Sequence, residues 1–422
     1  MRKYRFAKTG GWLAISCALM TSQISTADVN LNGFATITGG KTLADDETLN
    51  NYDSDFLFEE NSFFGVQVDA DLGDGLTAVA QIVSRGKESW ETKFEWAYLG
   101  YQINDNVKIL AGRQRLPFYA YSDYIDIGYA YHWITPPESI YSVPFNSSTG
   151  LGALITNQFG SASSTLHLSY GRNTEELPTE EGNRYNTDVS NLIAAAWTIE
   201  YDWLTLRAGV SSADLKIDID SLDQLAAGWE QLGQAMSAGT GDPSYASDWA
   251  AFSDNIRYND GNDKAGFGGL AAIVDYNDFV VVAETKLVTT EGSITEEEAY
   301  GYYVSLGKRF GNFMPHITYG EHEATPQDDS FLDGPKTLAA DLGMMPNPTP
   351  EQAALIGGLN GLIAGTSTAF NNSISEKSYI VVGLRWDFHP SAAFKVEYKS
   401  QNDKLPVDST NNLLRFSICT VF

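Results

Sequence analysis

The sequence has few cysteines and few basic residues for a chain of 422 residues. It contains two cysteines, Cys17 and Cys419, and 27 Lys and Arg against 54 Asp and Glu, for a formal net charge of −27. So little cysteine excludes a disulfide framework. The acidic excess argues against a nucleic-acid partner, because phosphate backbones are bound by basic surfaces.

Motifs for catalysis and metal binding are also scarce. We find no nucleophile elbow, zinc-ligand spacing or phosphate loop. The run Asn259–Asp263 has the composition of a calcium loop but lacks the closing Glu, which favours a solvated turn. We therefore predict no enzymatic activity, no cofactor and no bound metal. The histidines are scattered: His132, His167, His316, His322 and His389.

The first 27 residues have the pattern of a secretory signal. A basic N-terminus precedes the apolar run Trp12–Met20, and small residues lead up to Ala27. That run is too short to cross a membrane as a helix, and no later run predicts a helical anchor. We expect cleavage after Ala27, so that residues 28–422 form the mature protein with Cys419 as its single cysteine.

The segment Leu413–Phe422 alternates between two kinds of side chain. Successive side chains of a strand point to opposite faces, so one face carries Leu, Phe and Ile while the other carries Arg, Ser and Cys. This pattern is typical of a strand with lipid on one side and water on the other. It also fits a half-buried strand of a soluble sheet, and the choice depends on how many segments share it.

Seven hairpins repeat the alternation. In one of them, Phe64–Leu72 turns at Gly73-Asp74-Gly75 and returns from Leu76. With Val29–Gly40 and the last strand, the count reaches sixteen, which predicts an all-β fold, a sixteen-stranded antiparallel transmembrane barrel. The other hairpins turn at Asn104-Asp105-Asn106, Gly160, Asp202, Asn277-Asp278, Gly311-Asn312 and His389-Pro390-Ser391.

Three regularities favour a membrane barrel over a soluble sandwich. Strands of about ten residues are long enough for a tilted membrane crossing. Short turns alternate with longer connections, as in outer-membrane barrels, and aromatic residues crowd the short-turn ends. The longer connections are 40–62, 86–92, 116–148, 173–190, 214–263, 290–297, 324–375 and 402–412. The aromatic residues are Tyr101, Phe159, Tyr201, Tyr276, Phe310, Phe313, Phe388, Phe394 and Phe422.

In these features the chain resembles the Gram-negative outer-membrane porins. The matching stretches are VNLNGF, LGDGLTAVAQI, WAYLGY, GRQRLPF and the terminal Phe422. The resemblance implies a sixteen-stranded general diffusion porin, a homotrimer and a third long loop that folds inward as the constriction. It also implies that the barrel-assembly machinery reads Phe422, and that outer-membrane lipid and lipopolysaccharide surround the barrel.

The candidate constriction combines acids of loop 116–148 with bases of the barrel wall. The loop carries Asp123, Asp126 and Glu138. Low-dielectric walls would focus the field between the two sets of charges on passing solutes. The alternative, which we favour for Arg207, Arg385, Lys395 and Arg415, is that the bases are solvated lumen groups. By strand parity the inward bases are Arg85, Lys108, Arg207, Arg385, Lys395 and Arg415, and a bulge at the strand end would turn Arg113 and Arg115 inward.

Aromatic residues of the same loop admit two interpretations. They could form a stacking track for solutes, or they could pack the loop against the wall, which we favour. In two other external connections, Ser221–Gln224 and Thr349–Gln352 have the pattern of a capping box and predict helices over the barrel mouth.

These patterns together predict an outer-membrane porin for passive diffusion of small hydrophilic solutes and ions. Two rival functions stay open. One is a substrate-specific channel for sugars or aromatic acids that uses the aromatic third loop. The other is a surface adhesin or receptor whose barrel presents the long acidic loops.

Overall fold

Sixteen long antiparallel strands close into one barrel. The computed structural model describes residues 28–422 except 144, 179–183, 255, 292–296, 327–329 and 406. The predicted signal, residues 1–27, lies outside the described residues. The strands are β1 (Asp28–Thr42), β2 (Phe63–Gly73), β3 (Leu76–Arg85), β4 (Thr92–Asn104), β5 (Val107–Arg115), β6 (Ser147–Phe159), β7 (Ala162–Asn173), β8 (Thr187–Tyr201), β9 (Leu204–Ile217), β10 (Tyr258–Tyr276), β11 (Phe279–Thr290), β12 (Glu297–Lys308), β13 (Phe313–Pro326), β14 (Ser375–His389), β15 (Ala392–Leu405) and β16 (Ser409–Val421).

The barrel closes where β1 pairs with β16. Their register runs from Phe34 opposite Val421 to Thr42 opposite Leu413, and every other neighbour in the ring is the next strand along the chain. Closure pairs the backbone of every strand on both sides, which an apolar surrounding requires. The predicted fold class and strand number are confirmed.

The wall is apolar outside and polar inside. Leu31, Ile193 and Leu270 are 70%, 60% and 61% exposed on the outer face, whereas the inner face buries Thr318, Lys395 and many other polar groups. Eight of the nine predicted aromatics at the short-turn ends are exposed, and Phe394 is half-buried. Cys419 is buried and free on the inner parity.

Four helices lie in the two longest external connections and form what we call the helical roof. They are α1 (Asp220–Thr240), α2 (Ser244–Asp254), α3 (Asp333–Gly343) and α4 (Pro350–Asn372). Trp229 is fully buried at their centre, where its ring stacks on Trp249 at 4.9 Å and its Nε1 donates to Thr366 Oγ1 at 2.9 Å. The roof thus ties the connection between β9 and β10 to the one between β13 and β14.

One of the two predicted capping boxes is confirmed. Thr349 caps α4, with its hydroxyl accepting from Gln352 N and the Gln352 side chain accepting from Thr349 N. The box at Ser221 is wrong, because α1 already begins at Asp220 and its N-cap is Ile219, which offers no side-chain cap. Packing of Leu222 in the roof and the charge of Asp220 near the helix N-terminus fix that start instead.

Two further expectations are corrected. Residues 259–263 belong to strand β10 and not to a turn. The segment Pro350–Asn371 of α4 is long and apolar enough, by length and composition, to cross a membrane, whereas we expected no apolar segment of that length after the signal. This helix is largely exposed, and it packs in the roof through Leu359 and Thr366.

Candidate functional site

Residues 116–146, here called the inner loop, leave the end of β5 and run through the barrel interior before β6 begins. Two glycines let the loop approach closely. A Cβ on Gly301 of β12 would lie 2.1 Å from the carbonyl oxygen of Ser139, and one on Gly128 would lie 2.5 Å from Thr36 Oγ1. The loop backbone therefore rests directly on the wall at two separate places.

Aromatic side chains of the inner loop form its packed underside. Tyr119, Tyr121, Tyr131 and Trp133 are each at most 6% exposed and join one apolar cluster with inward side chains of β8 to β13. Burial raises the pKa of Tyr119 and of Tyr131, so both phenols are neutral near pH 7. The expected packing role is confirmed for these residues.

Basic wall residues hold the inner loop by its carbonyl groups. Lys395 donates to Gly128 O at 2.5 Å and to Trp133 O. Arg385 donates to the carbonyls of Tyr129 and Tyr131, each at 2.8 Å. Both side chains are therefore bound beneath the loop, which corrects the expectation that they are solvated lumen groups.

Arg415 occupies a similar place. Its guanidinium pairs with Glu397 at 3.0 Å and donates to Thr135 Oγ1 at 3.2 Å, while the other Glu397 oxygen accepts from Ile134 N at 2.7 Å. Arg415 and Glu397 are 3% and 2% exposed. Arg207 likewise donates to Pro117 O at 2.9 Å, so neither arginine is the solvated group we expected.

Glu138 lies at the far end of the inner loop. Its carboxylate pairs with Lys399 Nζ at 3.0 Å and accepts from the side chain of Asn50. Enclosure within the barrel would raise the pKa of Glu138, but the nearby Lys399 and Arg415 cations outweigh this effect and lower it. Glu138 is therefore ionised near neutral pH and ties the inner loop to the first external connection.

Asp126 joins the inner loop to the opposite wall. One oxygen accepts from Arg85 Nη2 at 2.7 Å and the other binds Arg115. Glu95 completes the group, at 2.6 Å from Arg85 and 3.4 Å from Arg115. Arg115 is 3% exposed. The predicted bulge is not seen where β5 pairs with β6, because that register is continuous to Arg115; the nearby register shift lies between β3 and β4, beside Glu95.

Arg113 follows a different course from Arg115. It donates to Phe94 O and Ser147 Oγ, each at 2.6 Å, and pairs with Glu175 of the next external connection. It therefore ties strand ends together and makes no described contact with the inner loop.

The open part of the lumen faces Asp123. This carboxylate is exposed, and it borders a polar cavity of about 250 Å³ against strands β6 to β10. His167, Glu200 and Arg207 line the same cavity. Lys108 lies half-buried on the inner parity of β5, and no ion pair to it is found among the described residues. Asp123 and Lys108 are thus the predicted site charges without an ion pair to another described residue.

Sequence reasoning missed several residues of this site. Glu95, Glu284 and Glu397 are buried acids of the wall that accept from the inner loop or pair with the wall arginines that hold it. Glu284 and Glu397 lie on the inner parity of their strands, a signal that was present but unused. Glu95 lies at a strand irregularity that parity does not reveal.

The same fold occurs in solved outer-membrane proteins. OmpF from Salmonella typhi, in complex with daunomycin, matches with a TM-score of 0.53 and 12% identity over 93% of this chain and 97% of its own. An anion-selective porin from Comamonas acidovorans gives 0.52 and 10% over 94% and 100%. OmpT from Vibrio cholerae, in a trimer form, gives 0.51 and 8% over 94% and 99%.

No protein-family model and no curated protein matches the chain. The structural likeness, at identities near a tenth, establishes the fold of the barrel.

Proposed function

We propose that this chain, a barrel of the same fold as these porins, is a Gram-negative outer-membrane porin for passive diffusion of small hydrophilic solutes and ions. The observation that carries the proposal is the inner loop, which is clamped inside a closed barrel and leaves a polar cavity beside Asp123. A barrel of sixteen strands is wide enough for an aqueous channel. A loop held in its interior narrows that channel without filling it.

The constriction charges divide into two groups in this proposal. Asp123 and Lys108 act on passing ions, because they lie outside the described ion pairs. Asp123 is exposed, and Lys108 is half-buried on the lumen side of β5. Arg85, Arg115, Asp126, Glu138, Arg385 and Arg415 act indirectly, since they fix the position of the inner loop. Arg113 supports the external rim.

The proposed partners of the barrel include the membrane lipid that surrounds its apolar outer face. Lipid and lipopolysaccharide of the outer membrane would cover the apolar outer face, and the barrel-assembly machinery would read Phe422, whose ring is 66% exposed there. A homotrimer is the proposed assembly, by analogy with the trimer form of OmpT. A signal peptide over residues 1–27 would direct export, and we propose no catalytic activity.

Planar-bilayer recording of the purified protein tests the proposal. We expect a steady ohmic conductance, and a larger one after deletion of Tyr121–Ser139, because the deletion removes most of the inner loop. A barrel that inserts but never conducts would favour the adhesin or receptor function. Equal conductance with and without these residues would show that the inner loop is not the constriction.

A further inference from the structure

A second cavity lies between the inner loop and the external mouth of the barrel, and its walls are mostly apolar, unlike those of the polar cavity beside Asp123. It has a volume of about 430 Å³ and lies between Phe118 and Phe145 of the loop and the external halves of β8 to β13. Inward side chains of a water-filled barrel are normally polar, yet here the wall contributes Leu192, Leu215 and Val288. Part of this apolar surface packs against the inner loop, but the rest borders empty volume, and an apolar cavity with a few polar groups is a candidate ligand site.

Two nitrogen-bearing side chains form one edge of this cavity. Lys286 of β11 and His322 of β13 lie in one cross-strand row, with Gly301 between them. Lys286 is 2% exposed and donates to Ser142 Oγ. Nδ1 of His322 is buried without a hydrogen-bond partner in the described part of the chain. Among the described residues, no carboxylate lines the cavity, although the protein as a whole is strongly acidic.

We infer that this cavity binds a small organic anion with an apolar body, such as an aromatic or short-chain aliphatic monocarboxylate. The carboxylate would bind at Lys286 and His322, and the body would pack against Leu215, Phe267 and Val288. Sugars fit less well, because apolar walls leave their hydroxyl groups without hydrogen bonds. The inference rests on the proposed function, since it names the solute class that such a channel would select.

Calorimetric titration of the detergent-purified full chain tests the inference with three probes. Benzoate carries both the charge and the apolar body, acetate carries the charge alone, and benzyl alcohol carries the body alone. We expect saturable binding of benzoate, and at least tenfold weaker binding of the other two. Equal affinity for benzoate and acetate, or for benzoate and benzyl alcohol, would overturn the inference.

Point variants locate the binding site. Lys286→Met and His322→Gln should each weaken benzoate binding about tenfold, and Ala213→Leu should do the same because it fills the cavity. Lys87→Met is the matched control: it removes an exposed lysine of the connection between β3 and β4, which does not line this cavity, so benzoate affinity should stay within twofold. Far-ultraviolet circular dichroism confirms that each variant is folded.

Failure of this inference is distinguishable from failure of the proposed function. A protein that conducts ions but binds benzoate no better than acetate retains the channel function and loses the selective cavity. If benzoate binding is unchanged in Lys286→Met, His322→Gln and Ala213→Leu, the anion binds elsewhere and the assigned cavity is wrong.

Discussion

Two carboxylates three residues apart on the inner loop have opposite surroundings. Asp123 is exposed beside the polar cavity, whereas Asp126 is 8% exposed and held by Arg85 and Arg115. The sequence presents them as equivalent acids of one loop. Their separation comes from the fold, which brings β3 and β5 to one of them.

We therefore predict different outcomes for their amides. Asp123→Asn should shift the reversal potential in a salt gradient toward anions with little loss of stability, because it removes a solvated charge. Asp126→Asn should destabilise the seated inner loop by about 3–5 kcal/mol, since it removes one partner of a buried ion-pair group. Thermal unfolding and reversal potentials measured on both variants check this, and identical behaviour would refute the division.

We predict that His132 makes the seating of the inner loop sensitive to acid. Burial, together with the neighbouring His316 and Lys395, lowers the pKa of His132 well below its ordinary value. Its Nε2 lies 2.9 Å from Ser305 Oγ. Because the released loop binds a proton at His132 more readily than the seated one, the contribution of His132 to seating is constant above about pH 6.5 and weakens below it.

Current noise from loop release should accordingly grow as the pH falls from 7.5 to 5. His132→Gln retains a hydrogen-bonding side chain but does not titrate, so the noise of this variant should grow less over this range than that of the wild type. A variant whose pH profile matches that of the wild type would place the titrating group elsewhere.

How far the sequence predicts the site depends on which partner each residue meets. Parity alone identifies Arg415 and Lys395 as inward bases. It does not reveal that Lys395 and Arg385 bind carbonyl groups of the inner loop. Every residue has a backbone carbonyl, so these acceptors leave no signal in the sequence. The pairing of Arg85 with Asp126 needs the path of the loop, which local patterns do not determine.

At the scale of elements, glycine in β12 allows the inner loop to touch the wall. Gly301→Ala would place a methyl group 2.1 Å from the Ser139 carbonyl oxygen, so the loop must shift, at a cost of about 1–3 kcal/mol. Gly268→Ala is the control, because a Cβ there has nothing within 4 Å. Altered single-channel conductance in the Gly301 variant alone is expected; the same change in both would contradict the contact.

The helical roof depends on Trp229. Trp229→Ala should cost about 3–5 kcal/mol locally and expose residues 218–257 to limited proteolysis, while the β-sheet signal in circular dichroism stays. Met344→Ala, at a residue that is 76% exposed, should leave the digestion pattern unchanged. Resistance of the Trp229 variant to protease would mean that other contacts hold the roof.

Helices were less predictable than strands for a physical reason. The same alternation of apolar and polar residues occurs in sixteen strands, so an imprecise boundary in one strand does not change the predicted number of strands. Helix α3 begins without a side-chain cap, and α2 and α3 bury few side chains of their own. They form because Trp249 and Leu338 pack on neighbouring helices, which is a tertiary effect.

For the whole molecule, the central feature is a barrel wall that is apolar outside and polar inside, the reverse of a soluble protein. The sequence predicts the barrel well, because lipid outside and water inside impose a two-residue period on every strand. It does not predict where the lumen stays open, because that depends on the path of the inner loop, which contacts the inner wall from β8 through β16 to β1 and borders the polar cavity near Asp123 and His167.

Liposome swelling with sugars of increasing size measures passive diffusion most directly. Vesicles that contain the protein should swell quickly in arabinose, more slowly in glucose, and very slowly in sucrose and raffinose, because the clamped inner loop limits solute size. Swelling no faster than that of protein-free vesicles, in every sugar, would contradict an open aqueous channel through the barrel.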